Sequence, residues 1–354
     1  MEQIHVKVSK PYDVLIGRNL IDEIADIINP IVSGNQIAII TDDVVANLYL
    51  KKIEQQLNGA GYRVCSFSFP HGEKSKNIQT LSDILEFLAE NGIRRNDMLI
   101  ALGGGVVGDI TGLAASLFMR GVSVIQIPTT LLSAVDSSVG GKTAIDLLHG
   151  KNLAGAFWQP SMVVCDVKII ESLPDDIFCE GMAEVIKCNV IKKLPILEWI
   201  EKRELKQHLE RVIYECIALK RDIVEQDEFD DQGIRNILNV GHTFAHAIEK
   251  LSGYQISHGQ AVGTGLVTEA VIAHRLGMCD ENTVCEIQKA VDQYHLMVDV
   301  PWKAEEVVEA MKSDKKNRDA KIVFELPYAL GQCVEKKIDK FEVCEIQKLL
   351  SKTW

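Results

Sequence analysis

The feature that most restricts the fold is an apolar stretch, Met98-Leu-Ile-Ala-Leu102, that runs directly into Gly103-Gly-Gly105-Val-Val-Gly108-Asp109 and then into a helical pattern. Such a sequence suits a buried strand that ends in a glycine turn and opens a helix. The spacing satisfies G-x-G-x-x-G in the strand–loop–helix context that gives the motif meaning. Glycines there let the backbone approach a pyrophosphate, and the start of the helix offers unpaired N–H groups and a positive dipole end. The same turn would also serve if it only packed the helix on the sheet. One detail departs from the usual dinucleotide fingerprint. The next strand-like run, Val122–Ile127, ends in Pro128-Thr129-Thr130, with no acid for a ribose. An acid instead follows an earlier run, at Asp42 in Ile39-Ile40-Thr41-Asp42. A dinucleotide site built this way needs an altered topology.

The surrounding pattern agrees with an α/β domain. Strand-like runs at Ile4–Val8, Val14–Ile16, Ile37–Ile40, Val64–Phe69, Met98–Leu102, Val122–Ile127 and Met162–Cys165 are separated by helical stretches such as Val44–Leu57 and Ile78–Asn91. The second of these is bracketed by Asn77 and Gly92, a cap pair. Alternation of this kind predicts a mainly parallel sheet with helices on its faces. From about Leu173 onward helical periodicity dominates, over Glu180–Lys192, Leu209–Glu225, Arg235–Leu251, Gln260–Leu276 and Val284–Tyr294, with one β-type return at Lys321–Leu326. A chain of 354 residues is long for one core. The expected division is a Rossmann-like α/β domain over residues 1–170 and a mostly helical domain over 171–354.

Composition narrows the function classes. The nine cysteines are scattered, with no CxxC pair. That fits a reducing cytosol and argues against a structural zinc ribbon. The opening MEQIHVKVSK resembles neither a signal nor a transit peptide. No segment reaches the ~18 apolar residues of a membrane helix. A net charge of −12 disfavours non-specific nucleic-acid binding. The expectation is a cytoplasmic protein without nucleic-acid or membrane partners, acting on a small molecule.

Two segments carry candidate chemistry. Ser133-Ala-Val-Asp136-Ser-Ser-Val-Gly140-Gly141-Lys142-Thr143 shares only the second half of a P-loop, so it does not predict a nucleoside triphosphatase. It does place Lys142 on a glycine turn, with Gly150-Lys151-Asn152 soon after. Lysines so placed suit a carboxylate or phosphate, although two surface lysines on loops would look the same. Histidines gather in Gly241-His242-Thr-Phe-Ala-His246 and Ser257-His258-Gly259. His242 and His246 are spaced i, i+4, which puts them on one helical face and suits two ligands of one metal. His258, beyond a turn, could fold back as a further ligand. Glu184 is the best acid to complete the set, since it stands in an apolar helix with Lys187 at i+3, and such groups are rarely buried without a partner or ion.

Assembled, these segments resemble the 3-dehydroquinate synthases, members of the sugar-phosphate cyclase superfamily. The resemblance is carried by GGGVVGD at 103–109, MRGV at 119–122, IPTTLLSAVDSSVGGKTAID at 127–146, GKNLAGAFWQP at 150–160, GMAEVIK at 181–187 and NVGHTFAHAIE at 239–249. It implies a homodimer, NAD as a recycled cofactor, and one Zn²⁺ or Co²⁺ bound by Glu184, His242 and His258. His246 is then reassigned to the substrate. The resemblance further implies substrate contacts by Asp136, Lys142, Asn152, Lys187, Lys220, Arg235 and Asn239, by Lys315 or Lys316, and by Arg120 in the partner's site. NAD would be held by Asp42, Glu73, Lys76, Gly104, Gly105, Asp109, Thr129, Thr130, Lys142 and Lys151. The implied reaction converts 3-deoxy-D-arabino-heptulosonate 7-phosphate to 3-dehydroquinate and phosphate, the second step of the shikimate pathway. The family usually reads HGE where this chain has His258-Gly259-Gln260. A polyol dehydrogenase would share NAD, metal and two domains, but it has no need of so many lysines.

Overall fold

A computed structural model describes residues 1–311, 321–339, 342 and 343. Contacts divide the chain into two units. The first comprises Met1–Leu173 together with Lys220–Phe229, and the second comprises Pro174–Leu219 and the residues from Asp230 on. The division at Leu173/Pro174 lies three residues past the expected 170, and the return of Lys220–Phe229 to the first unit has no counterpart in the sequence pattern.

The first unit is built on a seven-stranded sheet in the order β1-β2-β9-β6-β5-β3-β4. Its strands are β1 (Glu2–Val6), β2 (Tyr12–Gly17), β3 (Gln36–Asp42), β4 (Arg63–Phe69), β5 (Met98–Gly103), β6 (Ser123–Pro128) and β9 (Met162–Asp166). All neighbours pair in parallel except β1 with β2, which form an antiparallel edge. Every residue of β3 and β5 is buried, as central parallel strands covered on both faces require. The helix Ile78–Glu90 begins as its sequence predicts. Asn77 accepts hydrogen bonds from the Gln79 and Thr80 N–H groups at 2.9 and 3.0 Å, and Gly92 follows at φ 68°. Its Leu81, Ile84 and Leu88 join Val107, Ile110 and Leu113 of the helix Gly105–Leu117 in one core.

Chain order explains the displaced acid. From β3 the chain moves outward to β4, then returns to the other side of β3 to form β5 and β6. The strand order therefore reverses between β3 and β5, the place where open α/β sheets bind ligands at the carboxyl ends of their strands. The register pairs Thr41 with Leu102, which sets Asp42 beside the glycine turn although it precedes that turn by a whole βα unit.

The segment around Lys142 is not a loop. β7 (Lys142–Leu147) and β8 (Gly150–Phe157) form a separate antiparallel hairpin. The returning segment Lys220–Phe229 is tied to the loop after β1. Glu225 accepts from the Lys7 N–H at 2.7 Å, and Glu228 accepts from the Ser9 N–H and hydroxyl at 2.8 and 2.7 Å.

The second unit is mostly helical, with helices Asp175–Ile191, Ile196–Glu201, His242–Leu251, His258–Arg275, Glu281–Gln293 and Ala304–Met311. The residues Leu209–Leu219 of the helix Leu209–Val224 also belong to it. The expected β-return is a hairpin of β10 (Lys321–Ala329) and β11 (Gln332–Asp339). The expected continuous helix Arg235–Leu251 is broken. A 3₁₀ turn over Ile234–Asn239 ends before Gly241, whose left-handed φ of 81° restarts the chain as a new helix at His242. Among the described residues no helix is long and apolar enough to cross a membrane.

Candidate metal centre and dinucleotide site

Within the second unit, three side chains from three helices converge. Glu184 lies in the helix Asp175–Ile191 among buried Met182, Ala183, Val185 and Ile186, and is itself 1% exposed. Lys187, one turn later on the same face, is ion-paired to its Oε2. His242 and His258 each open a helix. Oε1 of Glu184 lies 3.5 Å from His242 Nε2 and 3.4 Å from His258 Nε2, and one ligand atom from each residue falls within 4.8 Å of the others. Zinc bonds of about 2.0–2.1 Å in a tetrahedron separate neighbouring donors by about 3.4 Å, so both measured edges fit one ion. The second nitrogens fit as well. His242 Nδ1 sits 3.1 Å from the Val240 carbonyl and His258 Nδ1 3.5 Å from Glu249. Such outer partners place the ring proton on Nδ1 and leave Nε2 for the metal. Three protein ligands leave a fourth position open, the pattern of a catalytic site.

The charge balance divides the two histidines. Burial works to raise the Glu184 carboxyl, but Lys187 and the two imidazoles hold it well below the usual range. Burial pushes His242 down, so its ring is neutral and ready to ligate. Burial also opposes the charge on His258, but Glu184 and Glu249 overcome it and lift the ring to about 10. Metal uptake therefore has to displace a proton from His258. Calorimetric Zn²⁺ titrations of metal-free protein in two buffers of different ionisation enthalpy are expected to show release of about one proton per metal at pH 7–8. Because the proton competes with the metal, affinity should fall about tenfold for each unit the pH drops below 10 in that range. Uptake without proton release would contradict this balance.

Helical spacing alone pairs His242 with His246, and the structure corrects that pairing. The two rings are in edge contact, 5.5 Å between centroids at 80°, but His246 is exposed and the residue that converges with Glu184 and His242 is His258. Elsewhere in this unit, Arg235 is buried in the turn Ile234–Asn239, and Asn239 donates to the Asn236 carbonyl at 3.0 Å. Lys315 and Lys316 lie outside the described residues.

Three further carboxylates escaped the sequence reading. Glu180 accepts from the Gly259 N–H at 2.8 Å and from the Ser257 hydroxyl. Glu269 accepts from the Gly241 and Phe244 N–H groups at 2.7 and 3.2 Å. Glu249 faces His258. The available signal was an acid at i+7 from His242, on the same helical face. Gln260 also gains an account. Its Oε1 lies 3.0 Å from Ser257 Oγ, within a capping box. A glutamate there would set a second carboxylate across the hydroxyl that Glu180 already uses; the amide caps the helix without the like charge.

In the first unit the glycine turn has the form a pyrophosphate site needs. Gly104 is the N-cap of the helix Gly105–Leu117, and no side chain caps that helix, so its first N–H groups point outward. A Cβ on Gly104 would come within 3.1 Å of Thr130, and one on Gly105 within 3.2 Å of Ser137. Thr129 donates its N–H to the Gly103 carbonyl at 3.0 Å, which fixes the turn against the end of β6. Asp109, at the start of the helix's second turn, is ion-paired to buried Lys76 at 2.6 Å. Lys76 also donates to Asn152 Oδ1 at 2.6 Å. Burial opposes the Lys76 charge, but Asp109 and Glu73 keep its ammonium above the usual value. The Asn152 N–H is held by Asp146 at 2.8 Å, and Asn152 itself is left-handed at φ 54°. Lys151 is 4.0 Å from Glu73. Asp42 caps the chain after β3 by accepting from the Val45 N–H at 2.9 Å. Lys220 is 2.8 Å from Asp136 Oδ1 and donates to its carbonyl at 2.6 Å. Lys142 is exposed at the start of β7, and Arg120 is exposed at φ 60°.

Two family models match consecutive stretches of the chain, 3-dehydroquinate synthase N-terminal over residues 66–180 and 3-dehydroquinate synthase C-terminal over 181–317. The 3-dehydroquinate synthase of Shewanella loihica is 42% identical over 343 residues, covering 94% of this chain and 95% of the relative. Among solved structures, 2-deoxy-scyllo-inosose synthase complexed with carbaglucose-6-phosphate, NAD⁺ and Co²⁺ superposes with a TM-score of 0.86 at 24% identity, covering 98% of this chain and 99% of that one. The 2-epi-5-epi-valiolone synthase of Streptomyces hygroscopicus subsp. jinggangensis, with NAD⁺ and Zn²⁺ bound, gives 0.87 at 24% identity over 98% of each chain. These two share the fold. The matching models and the identity sustained over nearly the full length decide the relationship more closely: the chain belongs to the 3-dehydroquinate synthase family.

Proposed function

We propose that the protein acts as a 3-dehydroquinate synthase, a carbon–oxygen lyase, with a divalent metal on Glu184, His242 and His258 and NAD on the glycine turn after β5. The observation that carries this reading is the meeting of one carboxylate oxygen and two imidazole nitrogens within 4.8 Å in a chain of that family. The structural relatives with NAD⁺ and Co²⁺ or Zn²⁺ support the cofactor assignment. The substrate would be 3-deoxy-D-arabino-heptulosonate 7-phosphate. It is oxidised at C5, loses phosphate by elimination once the C6 proton is removed, is reduced again at C5, opens its hemiketal ring to free the ketone, and closes by an intramolecular aldol reaction. No NADH accumulates.

When bound, the metal supplies Lewis-acid stabilisation of hydroxyl charge and NAD⁺ supplies a recyclable hydride acceptor. The chain's own residues bind and orient. Lys142, Lys187, Lys220 and Arg235 are the cations assigned to the carboxylate and phosphate. Asp136 holds the Lys220 ammonium in one place, and Glu184 does the same for Lys187. Asn152, Asn239 and exposed His246 are assigned to the polar groups of the substrate. Asp42, Glu73, Lys76, Gly104, Gly105, Asp109, Thr129, Thr130 and Lys151 are assigned to NAD, with Asp42 suited to the ribose by its place at the sheet's reversal. A correctly held conformer lowers the barrier by several kcal/mol. The same proposal includes a cytoplasmic homodimer in which Arg120 serves the partner's site.

The test is phosphate release from the heptulosonate phosphate with catalytic NAD⁺ and added Zn²⁺ or Co²⁺, followed beside absorbance of NADH. Stoichiometric phosphate without NADH is the expected result. No release with any divalent metal would sink the reading, and net NADH from a simple polyol would point to a dehydrogenase instead.

A further inference from the structure

The three helices that carry the ligand set also hold one another, through carboxylates that lie outside it. Glu180 stands one turn before Glu184 on the helix Asp175–Ile191. It accepts from the Gly259 N–H at 2.8 Å and from the Ser257 hydroxyl, so the helix opened by His258 starts on the helix of Glu184. Gly259 makes this approach possible, since a Cβ there would lie 2.4 Å from the Glu180 carbonyl. Glu269, fully buried, stands three turns after His258. It accepts from the Gly241 and Phe244 N–H groups at 2.7 and 3.2 Å, the N-cap and first turn of the helix opened by His242. One turn before it on the same face, Gly265 lets the two backbones touch: a Cβ there would lie 2.0 Å from the Gly241 carbonyl. Glu249, seven residues after His242 on that helix, returns to His258 Nδ1 at 3.5 Å.

From these contacts we infer that Glu180, Glu249 and Glu269 form an outer ring of positioning residues, one from each ligand-bearing helix, that sets the metal ligands before the ion arrives. The ring is cyclic. The helix of Glu184 fixes the start of the helix of His258, which fixes the start of the helix of His242, which fixes the ring of His258. A carboxylate at a helix N-terminus is favoured by the dipole as well as by the hydrogen bonds it accepts. Both histidines occupy the first position of their helices, so whatever holds the start of the helix holds the ligand. The inference rests on the metal reading of Glu184, His242 and His258.

The experiment is a Co²⁺ titration against a competing chelator, with the visible Co²⁺ spectrum, melting temperature and NAD affinity recorded for each variant. Wild type should bind one equivalent and E184A none; if wild type itself binds no Co²⁺, the metal reading fails, whatever the ring does. Given that binding, E180A and E269A are expected to lose about 10- to 100-fold in Co²⁺ affinity and to change the spectrum, with NAD affinity unchanged. E269Q should recover part of the loss, because its amide oxygen still accepts a backbone N–H. E249Q keeps the side-chain volume and removes the charge that faces His258, so it decides the matter even where E269A fails to fold. Wild-type affinity and spectrum in both E180A and E249Q would overturn the ring.

Discussion

His258→Ala is expected to strip the metal from the purified protein and to cut phosphate release by at least about a thousandfold, roughly 4 kcal/mol of lost Lewis-acid and positioning help. His246→Ala should retain a full equivalent of metal and lose rate. The contrast follows from the geometry. His258 Nε2 lies 3.4 Å from Glu184 Oε1, whereas His246 stands one turn past His242, exposed, and is not among the three described residues whose ligand atoms converge. Removing His258 leaves a carboxylate and one imidazole, too few for a stable zinc site. It also leaves buried Glu249 without the ring it faces. Metal analysis of both variants, alongside steady-state phosphate release, measures the two effects separately. An empty site in His246→Ala with a full one in His258→Ala would reverse the ligand assignment.

How much of this was legible before the structure depended on the range of the contacts. The strand–glycine–helix unit at 98–109 is local, and it reads correctly because each residue's role depends on its immediate neighbours. So does the Asn77 cap. The i, i+4 spacing of His242 and His246 sets their rings side by side but does not show which residues from other helices converge on His242. Both histidines lie in the helix His242–Leu251 and their rings do touch, but His246 is exposed while Glu184 and His258 approach His242 from other helices. The histidine that converges with His242 and Glu184, His258, follows a turn and opens another helix, a contact that no periodicity encodes. The quoted motifs supplied it through resemblance. The hairpin of β7 and β8 was missed because Gly140-Gly141 and Gly150 look like turn punctuation and because Lys142, Asp146, Lys151 and Asn152 break the alternation of a half-buried strand. Only Thr143 and Ile145 are buried along β7, too few to signal a strand. Asp42 was visible as an acid out of place. Its meaning needed the sheet order, in which an earlier strand lies beside β5.

Lys76→Met should cost the protein on two counts, and a second substitution separates them. The ammonium of Lys76 is buried beside Asp109 and also donates to Asn152. Breaking a buried pair from one side costs about 3–5 kcal/mol, because the remaining charge loses its compensation. Burial already raises the Asp109 carboxyl, with Lys76 pulling it back. Without Lys76 the carboxyl rises further. An acid whose folded value exceeds its unfolded one destabilises the fold as pH climbs from the unfolded value toward the folded one, and the penalty fades at lower pH. The melting-temperature deficit of Lys76→Met relative to wild type is therefore expected to shrink as pH is lowered from 8 toward 5. Lys76→Met/Asp109→Asn, which leaves no orphaned charge, should recover most of the stability at pH 8. NAD affinity is expected to behave differently. A charged hydrogen bond contributes about 1.5–3 kcal/mol, so both variants should bind NAD about 10- to 100-fold more weakly in a fluorescence titration. The double variant would then fold normally yet bind NAD poorly, which assigns the pair to the cofactor as well as to the fold. Recovery of NAD affinity together with stability would confine Lys76 and Asp109 to a structural role and remove them from the dinucleotide site.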